Sequence, residues 1–498
     1  MPRPENVSEF RTRDTGARLT LPPAAARLAL LFLLSFFLYL TALGAAPIHR
    51  AQEARVAEVA REMRVSGKWL VPELNARVRL QKPPLPYWAV AASYGLLGRV
   101  NEVSARIPSA LCAIAAVVLT AFLAGRLFGP RAGLLAGACL ATTRIFLQQG
   151  RRAEADVPMA LFVILAMVGL ALGWREDRRA GRFFFFAAMG IAFMTKGVPG
   201  VVIPLLAALG WFLWERRGRA ALRPSFLGGL LVTILIAAPW YVIVWRLHPD
   251  AEAVFRAETL RRLTQEAPHA EPFYFYFYRL PVDLFPWIFL LPTAWMALRV
   301  DRVAREAARL PTAWVLGGLA FLTLLHGKQP HYLVPVAPAF AILLGGGLDR
   351  SITTGRGRWL TPMRMAGAIA LTAGIAIVFF VFIEPRAFGE RSPRQVCAGV
   401  GARVGKAPLI FYKFSSSACV FYLRRTAEVA LDDAELARFL RDQPSAFVLA
   451  RRDDVSEGMR QSLERSGHAA WAIRGEHRAW VLFGPGRPLP VSPSSGLP

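Results

Sequence analysis

Three lysines and one aspartate are the residues whose types and settings best suit chemistry. Lys82, Lys196 and Lys328 each sit beside Gly or Pro, in the runs Gln81-Lys82-Pro83-Pro84, Thr195-Lys196-Gly197 and Lys328-Gln329-Pro330. Prolines restrict the chain after Lys82 and so hold its ammonium in place. Asp156 stands in Gly150-Arg151-Arg152-Ala153-Glu154-Ala155-Asp156-Val157-Pro158, between two apolar stretches. That is a costly place for a purely structural charge and a suitable one for a general base. The plainer reading of Asp156 is a cap on the helix that Pro158 begins, and that of the lysines is stems lying along a lipid surface with their heads in water. His269 and His331 have an equally plain reading as interfacial imidazoles bonded to backbone, and neither shows metal-ligand spacing.

These residues need a scaffold, and composition says which kind. With 54% hydrophobic residues over 498 positions and a mean hydropathy of +0.37, the chain is too apolar for a soluble domain. The net charge of +26 is spread in short runs between apolar stretches, which argues against a nucleic-acid partner and for the lipid bilayer. Runs long enough to cross hydrocarbon lie near 28–45, 108–124, 132–147, 158–173, 183–194, 198–214, 226–245, 284–298, 311–325, 332–348 and 365–383, about eleven spans. No small-residue cleavage site follows the first, so residues 1–27 are expected to be a cytoplasmic segment before an uncleaved span.

A cytoplasmic N-terminus puts the arginine clusters at Arg126/Arg131, Arg175–Arg182, Arg216–Arg223, Arg299–Arg309 and Arg350–Arg364 all inside. Residues 384–498 then lie outside, where short β-rich runs at 408–412, 445–449 and 479–483 alternate with helical ones, the pattern of a small α/β domain. Asp432 or Asp433 is expected to cap one of its helices, and Cys397 and Cys419 are free to pair if exported. All six lysines and all seven histidines fall outside in this arrangement, while the cytoplasmic cations are arginines. Lysine at 82, 196 and 328 is thus a departure from the chain's ordinary topological charge.

The first outer segment, 46–106, is far longer than a connector. Its stretch 52–63 places Val56, Val59, Ala60 and Met63 on one face, as in a helix lying on the membrane. Beyond it come Trp69, Val71, Pro72, Leu74 and Asn75, then Gln81-Lys82-Pro83-Pro84-Leu85-Pro86-Tyr87-Trp88 and Ala105-Arg106-Ile107-Pro108-Ser109-Ala110-Leu111. These four motifs, in this order, resemble the first periplasmic loop of aminoarabinose-transferase-like proteins, the GT-C membrane glycosyltransferases related to protein O-mannosyltransferases. The resemblance continues through the Arg151–Pro158 run, Thr195-Lys196-Gly197, His269-x-x-Pro272-Phe273-Tyr274 and Lys328-x-Pro330-His331-Tyr332, covering most of 28–348.

The resemblance implies an α-helical polytopic membrane protein of the GT-C type, with a transmembrane catalytic unit at 28–383 and a periplasmic α/β domain at 384–498. It implies an inverting transferase that moves a sugar from a polyprenyl-phosphate donor to a lipid A-like, glycolipid or protein acceptor at the periplasmic face of the bacterial inner membrane. Arg55, Lys82, Lys196 and Lys328 are then candidates to hold the leaving phosphate, each well-placed donor supplying about 3 kcal/mol, with His269, His331 and Tyr332 beside them. Two departures bear on mechanism. Gln52 stands where the family has an acid, which leaves Glu53 and Asp156 as candidate bases. Gln81 stands where relatives often carry a Glu that helps hold a divalent metal, so a metal site of the family's type lacks that ligand here although His269 remains, and no metal ligands are assigned. The alternatives are a flippase for the same lipid-linked sugar and a catalytically silent relative. The first is disfavoured by the absence of an internal repeat and by functional groups gathered in outer loops.

Overall fold

The computed structural model describes residues 24–218, 224–260, 269–355, 359–389, 392–473 and 480–486. The expected N-terminal segment 1–27 lies outside the described residues up to residue 23, as do the end of the Arg216–Arg223 cluster and the last twelve residues of the C-terminal unit. Each apolar run is helical over most of its length. After α1 (Ala24–Leu40) come α2 (Ala51–Ser66), a hairpin of β1 (Glu73–Leu74) and β2 (Arg77–Val78), and α3 (Leu85–Leu97). Six helices follow: α4 (Glu102–Phe128), α5 (Pro130–Thr142), α6 (Arg144–Gly150), α7 (Asp156–Leu170), α8 (Arg179–Lys196) and α9 (Pro199–Trp214). The helical part ends with α10 (Pro224–Leu247), α11 (Ala251–Leu260), α12 (Phe275–Asp283), α13 (Leu291–Leu298), α14 (Arg302–Leu324), α15 (Ala337–Thr353), α16 (Pro362–Val378) and α17 (Glu384–Gly389).

Among the described residues five helices are long and apolar enough to cross a membrane, at Glu102–Phe128, Asp156–Arg175, Phe226–Leu247, Arg302–Leu324 and Pro362–Gly389, with shorter apolar helices at Ala25–Leu40 and Pro199–Trp214. Two runs depart from a simple span. The run 284–298 belongs to a pair, Phe275–Asp283 and Trp287–Leu298, bent by 101°. Pro286 lies at the bend, where its missing N–H and its ring break the helical ladder. The run 132–147 breaks at Thr143, whose backbone is extended between α5 and α6. There the Thr142 hydroxyl donates to Ala138 O at 2.7 Å and the Thr143 hydroxyl to Cys139 O at 2.7 Å, competing with the main-chain ladder.

Close backbone approach holds the bundle together, as expected where lipid offers no hydrophobic contrast between helices. At the α7–α8 contact a Cβ on Gly169 would stand 2.5 Å from Phe185 N and 2.9 Å from Gly181 O. Only glycine fits there.

The C-terminal unit contains α18 (Pro393–Val404), β3 (Leu409–Tyr412), α19 (Ser417–Leu423), β4 (Glu428–Ala430), α20 (Asp433–Asp442), β5 (Phe447–Arg451), α21 (Glu457–Arg465), β6 (His468–Ile473) and β7 (Trp480–Pro485). Its sheet has the order β4-β3-β5-β7-β6. β4, β3 and β5 run parallel, and β7 runs antiparallel to both β5 and β6. The three expected strands are β3, β5 and β7; β4 is too short and β6 too alanine-rich for alternation to reveal. Asp432 caps α20, its side chain accepting from Glu435 N at 2.8 Å. Cys397 and Cys419 form a disulfide, with Cα atoms 5.4 Å apart, that ties α18 to α19.

One expectation for the first segment is corrected. α2 does not present a polar face to solvent: Glu53, Ala54, Ala57, Glu58, Val59, Ala60, Arg61, Glu62 and Met63 are all buried. Glu53 and Glu58 are absorbed by ion pairs with Arg106 and Arg61, Glu62 by the N–H groups of Asn75 and Ala76, and the alanines by two other helices. Ala54, Ala57 and Ala60 share a cluster with Val90, Ala91 and Tyr94 of α3 and with Ala418 and Phe421 of α19.

Candidate functional site

Lys196 is the last residue of α8, and Gly197, at φ +84°, stops the helix beneath it. Asp156 is the first residue of α7, with Pro158 in its first turn. The two helix ends meet, and the Lys196 ammonium donates to the Asp156 carboxylate. Asp156 is buried. Tyr332 lies on the other side of the lysine, its ring centroid 4.9 Å from Nζ, and packs edge-on against His331. His331 is buried too.

Lys82 reaches the same place from the opposite wall. Pro83 and Pro84 carry the chain straight into α3, and Lys82 Nζ donates to Glu258 Oε1 of α11 at 2.8 Å. Gln81, Lys82, Lys196, Glu258 and Tyr332 line one cavity of about 350 Å³, whose remaining wall is apolar and includes Phe193 and Tyr241. A cavity with two ammonium groups and long apolar walls suits an amphiphile with an anionic head.

Glu53 has a different setting. Arg106 Nε donates to Oε1 at 2.7 Å and Nη2 to Oε2 at 3.2 Å, while Ala153 N–H reaches Oε1 at 3.1 Å. Burial pushes this carboxyl up, but Arg106 and the Ala153 N–H outweigh it and hold the group below the usual carboxylate range. Arg106 is itself fixed by the carbonyls of Leu43 and Ala46, each at 2.8 Å. Glu53 is therefore a locked member of a buried ion pair that joins α2 to α4, away from the cavity walls.

Arg55 is half-buried, and desolvation together with the nearby Arg79 charge lowers its pKa. The Gln52 amide donates to Gln329 Oε1 at 3.4 Å, bringing the departure from the family's acid next to the Lys328 loop. Lys328 turns away from the cavity: its Nζ donates to Glu271 O at 2.9 Å and its N–H to His269 O at 3.0 Å. Burial lowers its pKa. His269 is exposed with φ +61°. Among the described residues no group of three or more His, Cys, Asp or Glu side chains is placed to hold a metal ion.

Lys82, Lys196 and Tyr332 thus converge with Asp156 and His331 behind them, whereas Glu53, Lys328 and His269 serve other contacts. Two groups escaped the sequence reading. Glu258 sits on a charged stretch with no motif around it, and its link to Lys82 spans 176 positions. Glu154, whose side chain is 2% exposed with Arg50 Nε 3.4 Å away, is pushed by burial up to about 7; its place two residues before Asp156 was the available signal.

Residues 81–245 match the family described as dolichyl-phosphate-mannose-protein mannosyltransferase. An undecaprenyl phosphate-alpha-4-amino-4-deoxy-L-arabinose arabinosyl transferase of Pseudomonas fluorescens is 31% identical over 371 residues, covering 71% of this chain and 66% of the relative. The corresponding protein of Erwinia tasmaniensis is 32% identical over 326 residues, covering 64% and 59%. The chain thus spans 66% and 59% of the length of these two relatives, less than two thirds of each. Among solved structures, ArnT from Cupriavidus metallidurans bound to undecaprenyl phosphate superposes with a TM-score of 0.75 at 20% identity, over 92% of this chain and 98% of that one. The Archaeoglobus fulgidus oligosaccharyltransferase shares the fold at a TM-score of 0.56 and 11% identity, covering 86% and 69%. With the family's motifs in order and these relatives alike over most of the chain, the chain is similar to the GT-C membrane family of aminoarabinose transferases and their protein O-mannosyltransferase relatives.

Proposed function

We propose that the chain is an inverting glycosyltransferase that takes a sugar from an undecaprenyl-phosphate carrier and passes it to a glycolipid acceptor of the lipid A kind. The observation that carries this reading is the single cavity flanked by Lys82 and Lys196, with Asp156 directly behind the second lysine. Lys82 and Lys196 hold the donor phosphate, and Tyr332 fixes the lysine head from the side. In the reaction the acceptor oxygen bonds to the anomeric carbon as the bond from that carbon to the phosphate oxygen breaks. Asp156 takes the acceptor's hydroxyl proton, and undecaprenyl phosphate leaves with both electrons of the broken bond. A phosphate that draws Lys196 toward itself also frees Asp156 from its ion pair, so donor binding and activation of the base are one event. Glu53 is not retained as a base, because Arg106 and Ala153 already occupy its oxygens.

The chain is placed in the inner membrane with its N-terminus in the cytoplasm, about eleven spans and the C-terminal unit outside. The arginine distribution supports this, and so does the Cys397–Cys419 disulfide, which belongs in an oxidising compartment. A silent relative that only binds the carrier is the second reading, favoured by Gln52 in its hydrogen bond to Gln329. The deciding experiment supplies purified chain in lipid discs with undecaprenyl-phosphate sugars and extracted membrane glycolipids, and follows sugar transfer by mass. Transfer supports the enzyme; carrier binding without any transfer supports the silent relative.

A further inference from the structure

The C-terminal α/β unit does more than cover the helical part: it grips the segment that carries Lys82 at two points. The first is the turn of the β1–β2 hairpin. Asn75 and Ala76 both have φ near +55° there, and the Glu62 carboxylate at the end of α2 accepts their N–H groups at 2.7 and 3.1 Å. The Asn75 side chain faces the other way. Its Nδ2 donates to Ala427 O at 2.6 Å and its Oδ1 accepts from Ala427 N at 2.8 Å, a reciprocal pair at the entrance to β4, the edge strand of the C-terminal sheet.

The second point is Tyr422 of α19. Its hydroxyl accepts from Ile48 N at 2.7 Å, just before α2, and donates to Glu102 Oε1 at 2.9 Å, where α4 begins. Between the two points Ala418 and Phe421 pack on the alanine face of α2, and the disulfide to Cys397 anchors α19 within its own unit. The hairpin closes through Arg79 N donating to Pro72 O at 2.8 Å. Lys82 follows three residues later and is then stiffened by its prolines. The contacts thus run without a gap from β4 through Asn75 and the hairpin to the Lys82 ammonium.

We propose that Asn75 and Tyr422 are positioning residues, through which the C-terminal unit sets the placement of Lys82 for a lipid-linked phosphate. The proposal rests on the reading of Lys82 as a phosphate ligand. Asn75 was part of the motif Trp69–Asn75, whose purpose the cavity alone does not explain, since Asn75 takes no part in lining it.

The test is N75G in the full chain, because glycine keeps the left-handed turn and both backbone bonds to Glu62 while deleting only the bonds to Ala427. Y422F is the second variant, removing one hydroxyl. Binding of undecaprenyl phosphate is measured in lipid discs together with thermal unfolding, and hydrogen exchange is followed for the amides of 79–82. N75G is expected to weaken undecaprenyl phosphate binding about tenfold, to raise donor KM with kcat within about twofold, and to speed exchange at 79–82. Affinity equal to wild type in the N75G/Y422F double variant overturns the proposal. If wild type itself fails to bind undecaprenyl phosphate, the donor reading falls; exchange at 79–82 then decides the positioning claim, with unchanged rates in N75G sinking it.

Discussion

Replacing Asp156 by asparagine separates the two jobs of one carboxylate, its ion pair with Lys196 and the proposed role of general base. Asp156 is 1% exposed and holds the Lys196 ammonium, whose side chain is 11% exposed. The substitution preserves shape and removes only the charge. Loss of the general base lowers kcat by about 10²- to 10⁴-fold. Donor affinity moves the other way, because the phosphate no longer competes with a carboxylate for Lys196, a competition of up to about 4 kcal/mol for charges about 4 Å apart at an effective dielectric near 20. The empty variant is less stable by about 3 to 5 kcal/mol, since a largely buried ammonium has lost its partner. The Tyr332 ring, 4.9 Å away, offsets part of that. Undecaprenyl phosphate at a hundredfold excess over the wild-type Kd stabilises wild type by about 2.7 kcal/mol, and it stabilises the variant by more, the excess being the gain in affinity. The assay pairs mass-detected transfer with thermal unfolding at graded undecaprenyl phosphate. Transfer at the wild-type rate in the asparagine variant would refute the base, and a donor affinity that falls in parallel with activity would refute the exchange of partners at Lys196.

Three further outcomes are expected. Lys82→Ala and Lys196→Ala should each weaken undecaprenyl phosphate binding while leaving membrane insertion intact, and unchanged affinity in both returns the lysines to the role of interfacial residues. Arg106→Met leaves Glu53 buried without its partner and should cost about 3 to 5 kcal/mol, read as lost folded protein in detergent; wild-type stability would show that the Glu53 pair is not holding α2 to α4. Glu154, raised in the folded chain to about 7, contributes stability that is fully present below the ordinary glutamate range and is lost as pH rises through 7. Wild type should therefore lose stability relative to Glu154→Gln between about pH 5 and 8, by roughly 3 kcal/mol at most, and parallel unfolding profiles for the two proteins would show the carboxyl to be solvated.

What the sequence determined by itself is whatever a local run of residues encodes. Apolar runs of span length became helices because burying backbone polar groups in hydrocarbon leaves helix as the economical choice. The family resemblance was legible because the first-segment motifs lie within about sixty positions of one another, and Asp432 and the Cys397–Cys419 pair could be named from type and setting. Tertiary structure decided which charges meet. Glu53 and Asp156 look alike in sequence, each an acid near arginines, yet Arg106 closes one into an ion pair 53 positions away while Lys196 leaves the other beside a cavity. Lys82 and Lys328 both precede prolines, but a backbone carbonyl claims one and the cavity receives the other. The burial of α2 likewise depends on α19, more than 350 residues further along. An ion pair or a helix contact is fixed by distance in space, and partners separated by 40 to more than 350 positions leave no periodicity or spacing that one chain can display.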